Sequence, residues 1–208
     1  MLEHTQHQPK PMINVAGRPL VDHAIDAMDG INRRFANTHY LPEKLENHLN
    51  NAGIEPIFEK DLLETGGGLK HALSRLNRDA VFTMNTDAVW TGPKPAEYLA
   101  AHWNPDIMDG LMLLIPKAQA IGHKGAGDFL CAQDGTLTRG PGDVYTGLQI
   151  IKTKYADQIE QTHFSLNLVW ETLLSRETLF GAVYSGQWCD VGYPAAISLA
   201  ESLLEQNS

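Results

Sequence analysis

One stretch, residues 62–90, constrains the fold of this chain more than any other. It contains three consecutive glycines, residues 66–68, which have no side chains and let another group approach the backbone closely. Apolar residues then recur at helical spacing over residues 69–76, so we predict a helix that begins after the glycines with its free N–H groups facing them. The apolar run Ala80–Met84 predicts a buried strand and places Asp87 just past its carboxyl end, the edge where open α/β sheets bind ligands.

Predicted strands alternate with predicted helices along the chain. The strands are expected at residues 31–37, 54–58, 80–84, 111–115 and 179–184, and the helices at residues 21–28, 42–53, 69–76, 166–173 and 194–206. This alternation is typical of βαβ units and predicts an α/β fold with a mainly parallel sheet. Residues 128–132 and 144–151, with a turn at 134–135 between them, predict a small antiparallel part. Since no repeat, low-complexity tract or linker divides the chain, residues 1–208 are interpreted as a single domain.

Composition narrows the class of function. A formal net charge of -9 opposes non-specific nucleic-acid binding, so an anionic substrate has to be met by a few placed basic groups or a metal ion. The two cysteines, Cys131 and Cys189, lie far apart, and the N-terminus has no apolar signal core, which together favour a reduced cytoplasmic protein. No apolar run is long enough to span a membrane. His4 and His7 have a spacing that suits a metal, but histidines near a terminus are usually solvated.

Several short motifs carry a family resemblance. They are Pro9-Lys10-Pro11, the Glu-Thr-Gly-Gly-Gly of residues 64–68, the Asn-Thr-Asp-Ala-Val-Trp of residues 85–90, the Lys-Gly-Ala-Gly-Asp-Phe of residues 124–129, Tyr145-Thr146-Gly147 and the Trp-Cys-Asp-Val-Gly of residues 188–192. In this order, over nearly the whole chain, they resemble the sugar-1-phosphate nucleotidyltransferase family, and within it the N-acetylmuramate-1-phosphate uridylyltransferases and mannose-1-phosphate guanylyltransferases. The resemblance implies a Rossmann-like sheet with helices on both faces and a small antiparallel sugar-binding part.

The resemblance also assigns site residues. It implies that Asp87 and Asp190 bind Mg²⁺, that Lys10 contacts phosphate, and that these three residues are catalytic. It assigns nucleotide binding to Thr65, Gly66 and Gly67, and sugar binding to Gly125, Asp128, Thr146 and Gly147. Each assignment has a plain structural alternative: a helix cap for Asp87, a turn for Asp190, a surface lysine for Lys10, a helix-entry loop for the triplet and hairpin turns for the sugar-side residues.

The implied reaction joins an NTP (UTP or GTP) to a sugar 1-phosphate, giving an NDP-sugar and pyrophosphate by a Mg²⁺-dependent in-line displacement. The product would serve cell-wall recycling or surface polysaccharide synthesis, and the expected protein is a monomer or homodimer. Two alternatives stay open. One is a non-catalytic subunit that binds nucleotide or sugar phosphate, and the other is a cytidylyltransferase acting on a non-sugar phosphate.

Two departures from the family pattern stand out. Family members carry an apolar strand and a Gly-x-Gly-x-Arg loop ahead of the Pro-Lys-Pro motif, whereas about eight residues precede Pro9 here and contain neither. Truncation, residues missing from the printed sequence and divergence would each explain this. Because that strand is central in the family's sheet, its absence predicts two strands with unpaired backbone edges. In addition, Thr86 stands where close relatives have glycine.

Overall fold

A computed structural model describes residues 5–207. Its helices are α1 (Leu20–Ala27), α2 (Pro42–Asn51), α3 (Glu64–Leu76), α4 (Pro95–Ala101), α5 (Lys154–Asp157), α6 (Asn167–Ser175) and α7 (Ala195–Glu205). Its strands are β1 (Asn14–Val15), β2 (Arg18–Pro19), β3 (Phe35–Thr38), β4 (Glu55–Phe58), β5 (Ala80–Met84), β6 (Ala88–Thr91), β7 (Gly110–Ile115), β8 (Ala120–Ile121), β9 (Phe129–Cys131), β10 (Leu137–Arg139), β11 (Val144–Lys152), β12 (Leu179–Val183) and β13 (Gln187–Asp190).

The central sheet has four strands in the order β12-β7-β11-β5. Strand β7 runs parallel to β12, whereas β11 runs antiparallel to both β7 and β5. The α/β class is confirmed, but the expectation of a mainly parallel sheet is wrong for this sheet, which is mixed. The reason is β11, which follows the antiparallel β9–β10 hairpin and enters the sheet against the direction of its neighbours.

The core lies on both faces of the central sheet. Strand β7 is buried along its whole length, as expected for the apolar run 111–115. Its residues Met112 and Leu114 pack with α3, α5 and α6, while Leu111, Leu113 and Ile115 pack on the opposite face with α4. A strand that is covered on both faces has a continuous apolar sequence, which explains why β7 could be predicted from residues 111–115.

Two smaller sheets lie outside the central sheet, and the second of them carries Asp190. Strands β3 and β4 form a parallel pair that packs near α1 and α2. Strands β6, β13 and β8 form a three-stranded sheet with β13 in the middle. In the described chain, β5 pairs only with β11 and β3 only with β4, so each has an unpaired edge.

Three local expectations need correction. The strand expected at residues 31–37 spans only Phe35–Thr38. Lys10, expected in an extended segment, begins a single 3-10 turn, Lys10–Met12, closed by the Met12 N–H donating to the Pro9 carbonyl. The helix expected after the glycine triplet begins before it, at Glu64, so residues 66–68 are helical and buried. Close packing explains this last difference, because neighbouring groups occupy the space that side chains would need there.

Within residues 5–207, no helix combines the length and the apolar character that a membrane crossing requires. Cys131 and Cys189 are both free thiols, partly buried and buried respectively.

Candidate active site

The pairing of β6 with β13 brings two distant aspartates together. Asp190 lies opposite Ala88, and the N–H of Val191 donates to the carbonyl of Asp87 at 2.7 Å. The two carboxylates are close enough to repel each other: burial raises the pKa of Asp190 above its ordinary value, and the negative charge of Asp87 raises it further. The structure therefore joins, at one edge of the small sheet, residues separated by half the chain.

Lys10 completes this group. Its Nζ lies 2.8 Å from Oδ2 of Asp87, and both side chains are partly exposed, at 31% and 39%. The positive charge of Lys10 also opposes the rise in the pKa of Asp190. The predicted catalytic residues Lys10, Asp87 and Asp190 thus form one cluster, in which a single cation faces two anions.

His123 belongs to the same edge and was missed by the sequence reasoning. Strand β8 runs parallel to β13, with Ile121 opposite Cys189, so the residues that follow both strands emerge side by side. A positive charge on His123 would lower the pKa of Asp190, which shows that the imidazole lies near that carboxylate. The only sequence signal is its place between Gly122 and the predicted sugar-binding segment, and no periodic pattern marks it.

The predicted nucleotide-binding residues contact a different part of the chain. The backbone N–H groups of Gly66 and Gly67 both donate to the carbonyl of Phe164, at 2.9 and 3.0 Å. A Cβ on Gly66 would collide with the Phe164 ring, and one on Gly67 with the Thr162 carbonyl. The hydroxyl of Thr65, which is exposed, accepts the N–H of Leu166 at 3.1 Å. The helix-start donors expected to face a ligand are thus engaged by the protein itself.

The predicted sugar-side residues Thr146 and Gly147 lie on β11. Gly147 has a φ of +91°, and a Cβ there would lie 2.9 Å from the side chain of Asn85, just after β5. Its carbonyl accepts the Asn85 N–H at 3.0 Å. Thr146 is buried, and its hydroxyl donates to the Leu113 carbonyl at 2.7 Å. The Thr146 hydroxyl is thus used in a hydrogen bond within the sheet, and Gly147 lies beside the loop that leads to Asp87.

Gly125 and Asp128 lie in the segment that follows His123. Oδ2 of Asp128 accepts the N–H of Tyr145 at 2.9 Å, which ties this segment to the start of β11. Gly125 is exposed and packs against the His123 ring, where a Cβ would lie 2.5 Å from Nε2. The segment that carries the predicted sugar contacts therefore adjoins the edge that carries the acidic pair.

The donor set fits a hard divalent cation. Asp87 and Asp190 supply carboxylate oxygens, and Mg²⁺ commonly binds proteins through one or two carboxylates while substrate phosphates and water complete its shell. Burial and the charge of Asp87 both raise the pKa of Asp190, and a cation held by the two carboxylates would stabilise their ionised forms. Within residues 5–207 there is no cluster of three or more His, Cys, Asp or Glu side chains able to hold a metal, and His4 lies outside the described residues.

Comparison with known proteins agrees with this architecture. The chain is 32% identical over 219 residues to the N-acetylmuramate alpha-1-phosphate uridylyltransferase of Caulobacter vibrioides, covering 97% of this chain and 90% of the relative. It is 24% identical over 212 residues to the enzyme of the same name from Neisseria meningitidis, covering 96% and 90%. The mannose-1-phosphate guanylyltransferase of Mycobacterium tuberculosis is 31% identical over 105 residues, covering 47% of this chain and 29% of the relative.

Solved structures show the same fold. HddC from Yersinia pseudotuberculosis, complexed with GMP-PN, superposes with a TM-score of 0.75 at 18% identity, covering 94% of this chain and 90% of that one. The inositol-1-phosphate CTP transferase of T. maritima superposes with a TM-score of 0.75 at 15% identity, covering 100% and 92%. Residues 5–133 match the family model of the MobA-like NTP transferase domain. With that match and the relatives above, the chain belongs to the MobA-like NTP transferase family of nucleotidyltransferase enzymes.

Proposed function

We propose that this protein transfers a nucleotidyl group from an NTP to a sugar 1-phosphate, giving an NDP-sugar and pyrophosphate. One observation carries the proposal: Asp87 and Asp190, far apart in sequence, lie side by side at one edge of a sheet, with Lys10 bound to the first. A nucleotidyl transfer brings together two anions, so it needs such a concentration of metal-binding and cationic groups.

Asp87 and Asp190 would hold Mg²⁺. When bound, the ion supplies charge neutralisation for the triphosphate and for the leaving pyrophosphate. Lys10 reaches the same edge and would contact a phosphate of the NTP, since its ammonium group is a compact donor for phosphate oxygens. The 3-10 turn Lys10–Met12 fixes the start of that side chain, and Met12 is buried in the cluster formed with α1 and α2.

The proposed chemistry is a direct in-line displacement. A phosphate oxygen of the sugar 1-phosphate forms a bond to the α-phosphorus of the NTP, and the bond from that phosphorus to the bridging oxygen breaks, so pyrophosphate leaves with the electron pair. No proton has to be removed from a phosphate nucleophile that is already ionised. The protein therefore contributes positioning and charge stabilisation, and no covalent intermediate on a side chain is required.

The substrates proposed are UTP or GTP and a sugar 1-phosphate of the N-acetylmuramate or mannose type. Support comes from the names of the sequence relatives, a uridylyltransferase and a guanylyltransferase. The product class, a nucleotide-activated sugar, would serve cell-wall or surface-polysaccharide synthesis.

One observation favours a second candidate, a non-catalytic protein that binds sugar phosphate. The N–H groups of Gly66 and Gly67, proposed as nucleotide contacts, both donate to the Phe164 carbonyl. If these donors never reach a nucleotide, the acidic pair can still bind a metal and a phosphate without supporting turnover. The two candidates differ in a single measurable property, the release of pyrophosphate.

The test is a panel of four NTPs against several sugar 1-phosphates, with pyrophosphate release measured in the presence of Mg²⁺ and of EDTA. The enzyme proposal expects release that needs one NTP, one sugar phosphate and the divalent ion together. Release that survives EDTA would contradict the role given to Mg²⁺. Binding of a sugar phosphate without release under any combination would favour the non-catalytic candidate.

A further inference from the structure

His123 is held at the acidic edge by strand pairing. Strand β8 ends at Ile121, which lies opposite Cys189 in a parallel ladder, so the chain beyond both strands leaves the sheet in the same direction. Asp190 follows Cys189 directly and His123 follows Ile121 by two residues. Parallel strands present their carboxyl ends at the same edge, which is why the imidazole and the Asp190 carboxylate are neighbours.

Two glycines make this close approach possible. Gly122 has a φ of +78°, and a Cβ there would collide with the backbone carbonyl of Asp190. Gly125 leaves room for the imidazole, since a Cβ would lie 2.5 Å from Nε2 of His123. A side chain at Gly125 would therefore push the ring from its place, and one at Gly122 would push this segment away from the Asp190 backbone.

The Nε2 atom of His123 is buried and has no hydrogen-bond partner among residues 5–207. Leaving a buried polar atom unpaired costs roughly 1–3 kcal/mol, so folded proteins rarely keep one without a use. Trp90 and Trp188 also have unpaired buried nitrogens, but their rings contact each other edge-on inside the aromatic core. His123 differs because it lies beside the cluster of Asp87, Asp190 and Lys10.

The surroundings indicate which ligand the nitrogen would meet. Lys10 forms an ion pair with Asp87, and the positive charges of Lys10 and of a protonated His123 both act on Asp190. Beyond His123 the chain continues to Lys124, which lies over the Tyr193 ring at 3.8 Å, and to Asp128 in the predicted sugar-side segment. His123 thus belongs to a segment that runs from the proposed metal site to the proposed sugar site, and the phosphate of a bound sugar 1-phosphate has to lie between those two sites.

We propose that Nε2 of His123 donates a hydrogen bond to the phosphate of the sugar 1-phosphate and orients the attacking oxygen. This inference rests on the proposed function and adds a residue to it. The segment containing Gly125 covers the nitrogen in the structure, so substrate entry has to displace that glycine-containing turn. His123 then contacts the nucleophile, and Lys10 contacts the NTP, beside the same acidic pair.

Two variants separate a contact with phosphate from a packing role. In His123→Asn the side chain no longer reaches the Nε2 position, whereas His123→Gln can place an N–H there. We expect the KM for the sugar 1-phosphate to rise about 10-fold or more in His123→Asn, since a hydrogen bond to a charged group contributes about 1.5–3 kcal/mol. His123→Gln should recover most of this loss. The KM for the NTP should change less than about twofold in both, and the exposed control His71→Asn should match the wild type.

A second measurement does not need turnover. In ¹H–¹⁵N spectra that detect the imidazole nitrogens, inorganic phosphate and then glucose 1-phosphate are added to the wild-type protein. The Nε2 resonance of His123 should shift with saturation, while that of His71 stays fixed. An unshifted His123 resonance, or an equal KM in wild type and His123→Asn, overturns the proposal. If the substrate panel shows no pyrophosphate release while His123 still responds to phosphate, the catalytic proposal fails and the phosphate contact stands.

Discussion

Two carboxylate clusters in this molecule shift the pKa of their aspartates in opposite directions. Asp109 is buried at 7% exposure, but its Oδ1 lies 2.8 Å from Nζ of Lys152 and its Oδ2 accepts the hydroxyl of Tyr155. Burial works against its ionisation, yet the bonds from Lys152 and Tyr155 prevail and hold its pKa at about 2. Asp190, in contrast, has a raised pKa because burial and the charge of Asp87 both oppose its ionisation.

The difference separates a carboxylate whose negative charge the fold stabilises from one whose negative charge the fold disfavours. The Asp109 cluster satisfies its own charge with groups from the ends of β7 and β11 and from α5, so it locks these elements together. The Asp87–Asp190 pair has one ion-paired lysine for two carboxylates, an imbalance that a bound cation would offset. Perturbed carboxylates of this second kind concentrate at functional sites.

The largest effect on activity is expected from variants that remove one carboxylate of the Asp87–Asp190 pair. Asp87→Asn and Asp190→Asn should each lower the rate of pyrophosphate release by about 10³-fold, the order expected when a group that stabilises transition-state charge is lost. The measurement is a steady-state assay with the best substrates from the panel. Asp109→Asn, assayed at a temperature where it stays folded, is the matched control and should keep most of the activity. Equal losses in all three variants would mean that the acidic pair has no special role.

The second effect is a loss of free energy of unfolding, expected when the Asp109 cluster is changed. Asp109→Asn leaves Lys152, whose side chain is 23% exposed, without its charge partner, which costs at most about 3 kcal/mol, the value for a buried pair broken on one side. Urea unfolding should show this loss, whereas Asp190→Asn should be neutral or stabilising because it removes a repulsion. A destabilised Asp190→Asn together with an unaffected Asp109→Asn would reverse the comparison.

The same comparison predicts how stability depends on pH. The folded pKa of Asp109, about 2, lies below its ordinary value of 3.8, so its contribution is complete above that value and is lost as the pH falls through it toward 2. The shift corresponds to about 2 kcal/mol. Wild-type unfolding free energies measured across this range should therefore fall more steeply than those of Asp109→Asn. Parallel curves for the two proteins would argue that Asp109 is not the group responsible.

The smallest effect concerns the Lys10–Asp87 ion pair, which competes with metal binding. Lys10→Met removes the cation that occupies Asp87 at 2.8 Å, so Mn²⁺ alone should bind a few-fold more tightly. NTP affinity should fall about tenfold, because a charge-assisted contact to phosphate is lost. Isothermal titration of the two ligands separates these effects. Weaker Mn²⁺ binding in Lys10→Met would show that the lysine supports the metal site and does not compete with it.

The sequence predicted most of the core and the acidic pair for identifiable reasons. Residues 111–115 form an unbroken apolar run because both faces of β7 are covered. Asp87 and Asp190 were found through motifs that follow apolar runs, and the pairing of β6 with β13 then brings them together. Because that pairing joins strands far apart in the sequence, no local pattern predicts it. The family resemblance nevertheless implied that the two aspartates meet.

The remaining features depend on tertiary contacts. The direction of β11 follows from the hairpin before it, and period-2 patterns do not encode direction. Residues 66–68 are helical despite the low helix propensity of glycine, and their lack of side chains lets Phe164 and Thr162 pack against residues 66 and 67, and Glu59 and Asn37 against residue 68. His123 carries no sequence signal beyond its place after Gly122, since its position depends on the pairing of β8 with β13 and on the absence of a Cβ at Gly122.

The most direct test of the account is Mn²⁺ binding, followed by electron paramagnetic resonance in the presence of NTP. The account predicts that Asp87 and Asp190 jointly hold the ion, so the wild type and Asp109→Asn should bind it equally. Asp87→Asn and Asp190→Asn should each bind Mn²⁺ at least tenfold more weakly than the wild type. Wild-type affinity in both of these variants would show that the two carboxylates do not share a cation, and the proposed site would be wrong.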